Sequence, residues 1–181
     1  MVTTRPAPFV ARARDGTPLL VRAVGPEHRQ CFIEGLARLS EESRYRRFAR
    51  PMPGYTDQQL RYLTEIDYRD HMAWLAADLS VPGLPGVAVA RYVRRRDDPR
   101  CAEAAVTVID DYQGRGIAPL LLGHLADTAR ANGIERFEGD ILGRNYPMLK
   151  VARRLGITDF AIVDGMVHFS APLPPVLPPA A

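Results

Sequence analysis

The chemistry in this chain concentrates in the run AEAAVTVIDDYQGRGIA, residues 102–118. A β-branched stretch ends there in a glycine-bearing turn that opens a helix. Such a turn points several backbone N–H groups at one place, and the helix start adds about half a positive charge. Gly114 and Gly116 would let an anion approach the backbone closely, and Arg115 is expected to add an ionic contact. The ligand this suits is a diphosphate. A Walker loop is excluded because no lysine is followed by Ser or Thr, and a dinucleotide turn because no third glycine completes GxGxxG. The turn also comes late in the chain, whereas a dinucleotide fold opens with it.

A second chemical group is Glu103, a lone carboxylate among small apolar residues, where burial would raise its pKa and suit it to accept a proton. Five residues separate it from Val108, about 16 Å at the usual strand rise. Further on, Asn145 stands where a helix should open.

These groups need a scaffold, and the pattern supplies one. Strands are expected at 19–24, 71–78, 87–93, 102–108 and 137–142, with a final hairpin of 159–163 and 166–170 around Asp164-Gly165. Helices are expected at 26–39, from Ser40 to Phe48, from Thr56 or Asp57 to Glu65, at 116–131 and at 145–156. In the 116–131 helix, Ile117, Leu121, Leu125 and Ala129 repeat every four residues, one apolar face. The reading is one mixed α/β domain over 16–171, with a flexible arm at 1–15 and a proline-rich tail at 172–181. The strand ending at Val108 and the one starting near Phe137 should be parallel neighbours joined by a right-handed crossover helix.

The motif Gln113, Gly116, Ala118 at a strand-to-helix turn resembles the signature of the Gcn5-related N-acetyltransferase family. The resemblance runs from about Leu19 to Ser170 and is sharpest from Glu103 to Gly156. It implies a splayed mixed sheet flanked by helices, the acyl-CoA N-acyltransferase fold. It also implies acetyl-CoA as co-substrate and transfer of its acetyl group to a primary amine by direct attack in a ternary complex. On that resemblance the backbone around Val106 and Val108 would pair with the pantetheine arm. Gln113, Gly114, Arg115, Gly116 and Ala118 would take the pyrophosphate, and Asn145 would contact the pantetheine.

A narrower likeness, carried by LSEESRYRRF at 39–48 and by 102–116, is to bacterial protein-lysine acetyltransferases. It makes Glu103 the general base and a protein lysine a candidate acceptor. The regulatory domain that several such enzymes carry would not fit within these 181 residues. Many family members place a tyrosine seven residues after the helix-opening asparagine to protonate the departing thiolate; here that residue is Ala152. Two alternatives are a non-catalytic acyl-CoA-binding regulatory domain and a small-molecule amine acetyltransferase.

Composition bounds the rest. Cys31 and Cys101 form no CxxC, and His28, His71, His124 and His168 form no ligand-spaced pair, so no metal is expected; His124 should lie on the exposed side of its helix. The net charge is only +3, and Arg94–Arg96 is followed at once by Asp97-Asp98, which argues against a nucleic-acid partner. Lys150 is the only lysine. No membrane span and no signal-peptide stretch is read, and a cytoplasmic protein is the default expectation.

Overall fold

The structure is a computed structural model that describes residues 4–174. Its frame is an eight-stranded mixed sheet. In chain order the strands are β1 (Phe9–Arg12), β2 (Pro18–Ala23), β3 (His71–Asp78), β4 (Gly86–Arg94), β5 (Cys101–Val108), β6 (Arg136–Leu142), β7 (Ala161–Val163) and β8 (Met166–Pro172). Across the sheet they run β1-β2-β3-β4-β5-β6-β8-β7. Every neighbouring pair is antiparallel except β5 and β6.

Five helices cover the sheet: α1 (Arg29–Ala37), α2 (Glu41–Phe48), α3 (Asp57–Thr64), α4 (Ile117–Ala131) and α5 (Tyr146–Arg154). Side-chain alternation along a strand assigns the faces. Met72, Trp74 and Ala76 of β3, with Ala90 and Tyr92 of β4, pack in one core with Leu121, Leu125 and Ala129 of α4. Ala73 and Leu75 point the other way and pack with Phe32 of α1 and Leu60 of α3. Burial on both faces explains why β3 reads as an almost unbroken apolar run.

The caps are local sequence chemistry. The Ser40 side chain accepts from the Ser43 amide at 3.2 Å to start α2. Thr56 and Gln59 form a reciprocal capping box on α3. Asp164 and Gly165 both take positive φ, 49° and 77°, which makes the two-residue hairpin between β7 and β8.

The flexible arm expected at 1–15 is corrected in part: Phe9–Arg12 pair with β2 at the edge of the sheet. Four residues carry too little pattern to show as a strand. Phe9 anchors them by packing edge-on to Trp74 at 5.3 Å and against His124 at 4.5 Å. His124 is therefore half-buried instead of lying on an exposed helix face, and burial lowers its pKa. At the other end β8 extends to Pro172, which pairs with Arg136. The remainder of the expected tail, 175–181, lies outside the described residues.

Candidate active site

The parallel pair β5–β6 holds for only three residues, Cys101↔Arg136, Ala102↔Phe137 and Glu103↔Glu138. Beyond Glu103 the two strands part, while β5 stays paired with β4 through Val108. The edge of β5 from Ala104 to Val108 therefore faces a gap with no strand partner. Backbone groups on that edge need hydrogen-bond partners, and an extended ligand can supply them. A cleft of about 370 Å³ occupies the gap. Its walls include Val106 and Val108 from β5, Ile141 from β6, and Asn145, Val151 and Ala152 from the last third of the chain.

The far end of the cleft is the turn between β5 and α4. Gly114 and Gly116 sit at φ 75° and 81°, a backbone region closed to most side chains. Gly116 is the residue from which α4 starts. Among the described residues, no protein group accepts from the amides of Gly114, Arg115, Gly116, Ile117 or Ala118. Those amides, at a helix start, make an anion-binding nest. The Gln113 side chain donates to the Val108 carbonyl at 3.1 Å and to Ser43 Oγ at 3.2 Å, which ties the turn to the end of β5 and to α2.

One expected contact is placed elsewhere. Arg115 does not line the cleft; its guanidinium lies 4.5 Å from the centre of the Tyr112 ring and pairs with Asp15 at 3.4 Å. Arg14 lines the cleft in its stead. Its amide donates to the Arg115 carbonyl at 2.8 Å, and its Nη2 donates to the Gly114 carbonyl at 2.5 Å. No local pattern marks Arg14, because it sits in the stretch read as a flexible arm and meets the turn only through the β1–β2 connection.

Asn145 opens α5, and its Oδ1 accepts from the Met148 amide at 3.3 Å, which leaves the side-chain NH₂ available at the cleft wall. Ala152 is 1% exposed in that same wall, so the position of the family's tyrosine carries no hydroxyl. Tyr146 is 74% exposed and does not line the cleft.

Glu103 stands where the strands part. It is exposed, so the burial expected from its apolar neighbours is absent. The reason is alternation: Ala102 packs in the α4-side core while Glu103 projects to the opposite face. Its neighbour Glu138 is held by an ion pair with Arg95 and by the Cys101 thiol at 3.4 Å. Glu103 has no ion-pair partner among the described residues. It does not itself line the cleft but directly precedes Ala104, which does, and its charge acts on Arg47; a carboxylate at that position can take a proton from an amine brought beside it.

Residues 33–157 match the Acetyltransferase (GNAT) family. The chain belongs to the GNAT acetyltransferase family. Members of this family use acetyl-CoA and an amine acceptor. Acetyltransferase Pat of Mycolicibacterium smegmatis is 36% identical over 169 residues, 93% of this chain and 50% of that protein. The chain thus spans about half the length of Pat. Acetyltransferase PA5475 of Pseudomonas aeruginosa is 33% identical over 148 residues, 82% of this chain and 79% of that one. The crystal structure of the GNAT domain of S. lividans PAT superposes with a TM-score of 0.85 at 30% identity, covering 94% of this chain and all of that one. The mixed sheet, the parted strands and the turn before α4 are thus the GNAT architecture. Among the described residues no helix is long and apolar enough to cross a membrane.

Proposed function

We propose that this protein transfers the acetyl group of acetyl-CoA to a primary amine, with Glu103 as general base and a protein lysine as its acceptor. The observation that carries this reading is the point at which β5 and β6 separate. Pairing ends at the register position of Glu103, one residue before Ala104, where β5 begins to line the cleft that finishes at the amide nest of the Gly114–Gly116 turn. The separation, about 16 Å along β5, suits a pantetheine arm.

The bound co-substrate would supply an activated thioester. The chain's own residues do the rest. The nest amides, with Arg14 beside them, hold the diphosphate. The free edge of β5 around Val106 and Val108 pairs with the amides of the pantetheine arm, and the Asn145 NH₂ donates to one of its carbonyls. Glu103 removes a proton from the incoming ammonium, directly or through a water, because only the neutral amine attacks. The N–C bond forms as the C–S bond breaks. Ala152 offers no acid to the sulfur, so the thiolate takes its proton from solvent or from the amine.

Similarity to Pat and PAT favours protein lysine as the acceptor. The test is direct: purified protein with acetyl-CoA and a panel of lysine peptides, polyamines and amino acids, read by CoA release and product mass. Acetylated lysine peptide is the expected product. Tight CoA binding with no acceptor turned over would instead identify a non-catalytic CoA-binding domain.

A further inference from the structure

The cleft runs on past the point at which a thioester would sit. Ala104 is the first residue of β5 beyond the pairing with β6, and Pro172, the last of β8, pairs with Arg136, which pairs with Cys101. Three register positions separate Ala104 from Cys101, about 10 Å at the usual strand rise. Pro172 nevertheless lines the same cleft as the Gly114–Gly116 turn, together with Leu122, Phe137, Leu155, Phe169 and Pro174. The cavity therefore continues behind Ala104, between α4 and the end of α5, as a lobe that a pantetheine arm ending at Ala104 does not reach.

The two ends of the cleft offer opposite chemistry. At the turn, unpaired amides and Arg14 face an anion. At the lobe, the six side chains just named are all hydrocarbon, and the backbone is already paired. Arg136 to Leu142 pair with β8, the Leu173 amide donates to the Glu135 carbonyl at 2.9 Å, and the Pro174 carbonyl accepts from Arg130 Nη2 at 2.7 Å. Leu155 and Phe169 pack against the main core yet stay only partly buried, so apolar surface faces the lobe. Two small residues keep the passage clear. Gly139 lets the Phe169 ring settle against β6, where a Cβ would come within 3.0 Å of it. Ala152 gives the wall a methyl where the family's tyrosine would give a ring. A concave hydrocarbon surface with no polar group to satisfy suits an aliphatic chain, because contact removes apolar surface of both from water.

We propose that this lobe takes the acyl chain of the donor, so that the protein transfers straight-chain acyl groups longer than acetyl, up to about hexanoyl. The inference rests on the acetyltransferase reading and widens its donor from acetyl-CoA to short- and medium-chain acyl-CoA. The step keeps its balance: the amine nitrogen bonds to the acyl carbonyl carbon, the C–S bond breaks and CoA leaves as its thiolate. Glu103 takes the first proton of the ammonium, and the thiolate or solvent takes the second. Pro174, held by Arg130, stands at the far end and limits the chain length.

Binding tests this without an acceptor. Wild type is titrated calorimetrically with free CoA and with acetyl-, butyryl-, hexanoyl- and decanoyl-CoA. A fully buried CH₂ is worth about fourfold in affinity, so even a partly open lobe should lower the Kd about 10-fold or more from acetyl- to hexanoyl-CoA. Decanoyl-CoA should gain nothing further. Leu155→Trp fills the lobe from a partly exposed position, and should abolish the gain while leaving acetyl-CoA binding unchanged. Should that variant fail to fold, Leu155→Ala enlarges the lobe instead and should move the optimum toward decanoyl-CoA. With a working amine acceptor, wild type should form the hexanoyl amide, identified by mass, with kcat/KM at least equal to that for acetyl.

Equal affinity for acetyl- and hexanoyl-CoA, a gain that survives Leu155→Trp, or an optimum unmoved by Leu155→Ala would overturn the inference and leave acetyl transfer standing. So would hexanoyl-CoA that binds tightly but is not transferred while acetyl-CoA is. Failure of free CoA and every thioester to bind would overturn both this inference and the acetyltransferase reading. A Leu155-dependent gain for hexanoyl-CoA, with no acceptor acylated by any donor, would uphold the lobe and count against the enzyme reading instead.

Discussion

Alanine at Gly116 should cost more than alanine at Gly114, and the structure says by how much. Both glycines hold left-handed backbone, φ 81° and 75°, where an L side chain costs about 1–2 kcal/mol. A Cβ at Gly114 meets nothing within 4 Å, so the strain is its whole penalty. A Cβ at Gly116 comes within 3.2 Å of Arg14 Cβ, and Arg14 cannot retreat freely because its amide is bonded to the Arg115 carbonyl at 2.8 Å. Gly116→Ala should therefore lose about 2 kcal/mol and Gly114→Ala about 1. At roughly 2–4 °C per kcal/mol for a domain of this size, the Tm falls by about 4–8 °C against 2–4 °C. Displacing Arg14 and the nest amides together should also raise the Kd for CoA about 10-fold or more in Gly116→Ala. Gly116→Glu adds negative charge where phosphate belongs and should abolish binding. Differential scanning calorimetry and isothermal titration read the two effects separately. A Gly116→Ala protein with wild-type Tm and CoA affinity, or one less affected than Gly114→Ala, would refute both the strain argument and the role of the nest.

Acid should loosen the α3–β4 region through His71. Its folded pKa of about 4 lies below the unfolded 6.5, so the unfolded chain takes up a proton that the folded chain excludes. Stability is full above pH 6.5 and falls, by about 3 kcal/mol at most, as the pH drops toward 4. Urea denaturation at pH 7.5 and 4.5 should show this loss, and His71→Gln should lack most of it. Asn145→Ala removes the α5 cap and should cost about 1 kcal/mol, with weaker acetyl-CoA binding beyond that loss, measured by melting with and without ligand. Since Lys150 is the only lysine, intact mass after incubation with acetyl-CoA should show at most one side-chain acetyl group, apart from the amino terminus.

The turn and its scaffold were readable because their signals are local. Alternation and β-branching marked β3, β4 and β5, the four-residue repeat marked α4, and glycine type marked the left-handed turn. What escaped depends on chain segments meeting from afar. Arg14 reaches the turn across 100 residues, and nothing in its neighbourhood announces that. Arg47 donates to Thr107 across 60 residues, and nothing local announces that either. The composition of β5 suggested a buried Glu103, but a strand's average polarity does not say which face a given residue takes or whether a helix covers it. Arg115 failed for a related reason: charge beside a glycine turn does not reveal that Tyr112 and Asp15 offer it a better partner.

The measurement that bears most directly on the account is turnover of Glu103→Gln with a working amine acceptor, followed across pH alongside wild type. Gln keeps the size and a hydrogen-bonding end but accepts no proton. Turnover should fall about 10²–10⁴-fold at neutral pH with acetyl-CoA affinity unchanged. The deficit should narrow as the pH rises toward the acceptor's own pKa, about 10.4 for a lysine side chain, because an amine already neutral needs no base. Near-wild-type turnover in Glu103→Gln, or a deficit that stays constant up to that pH, would contradict the assignment of Glu103 as the base.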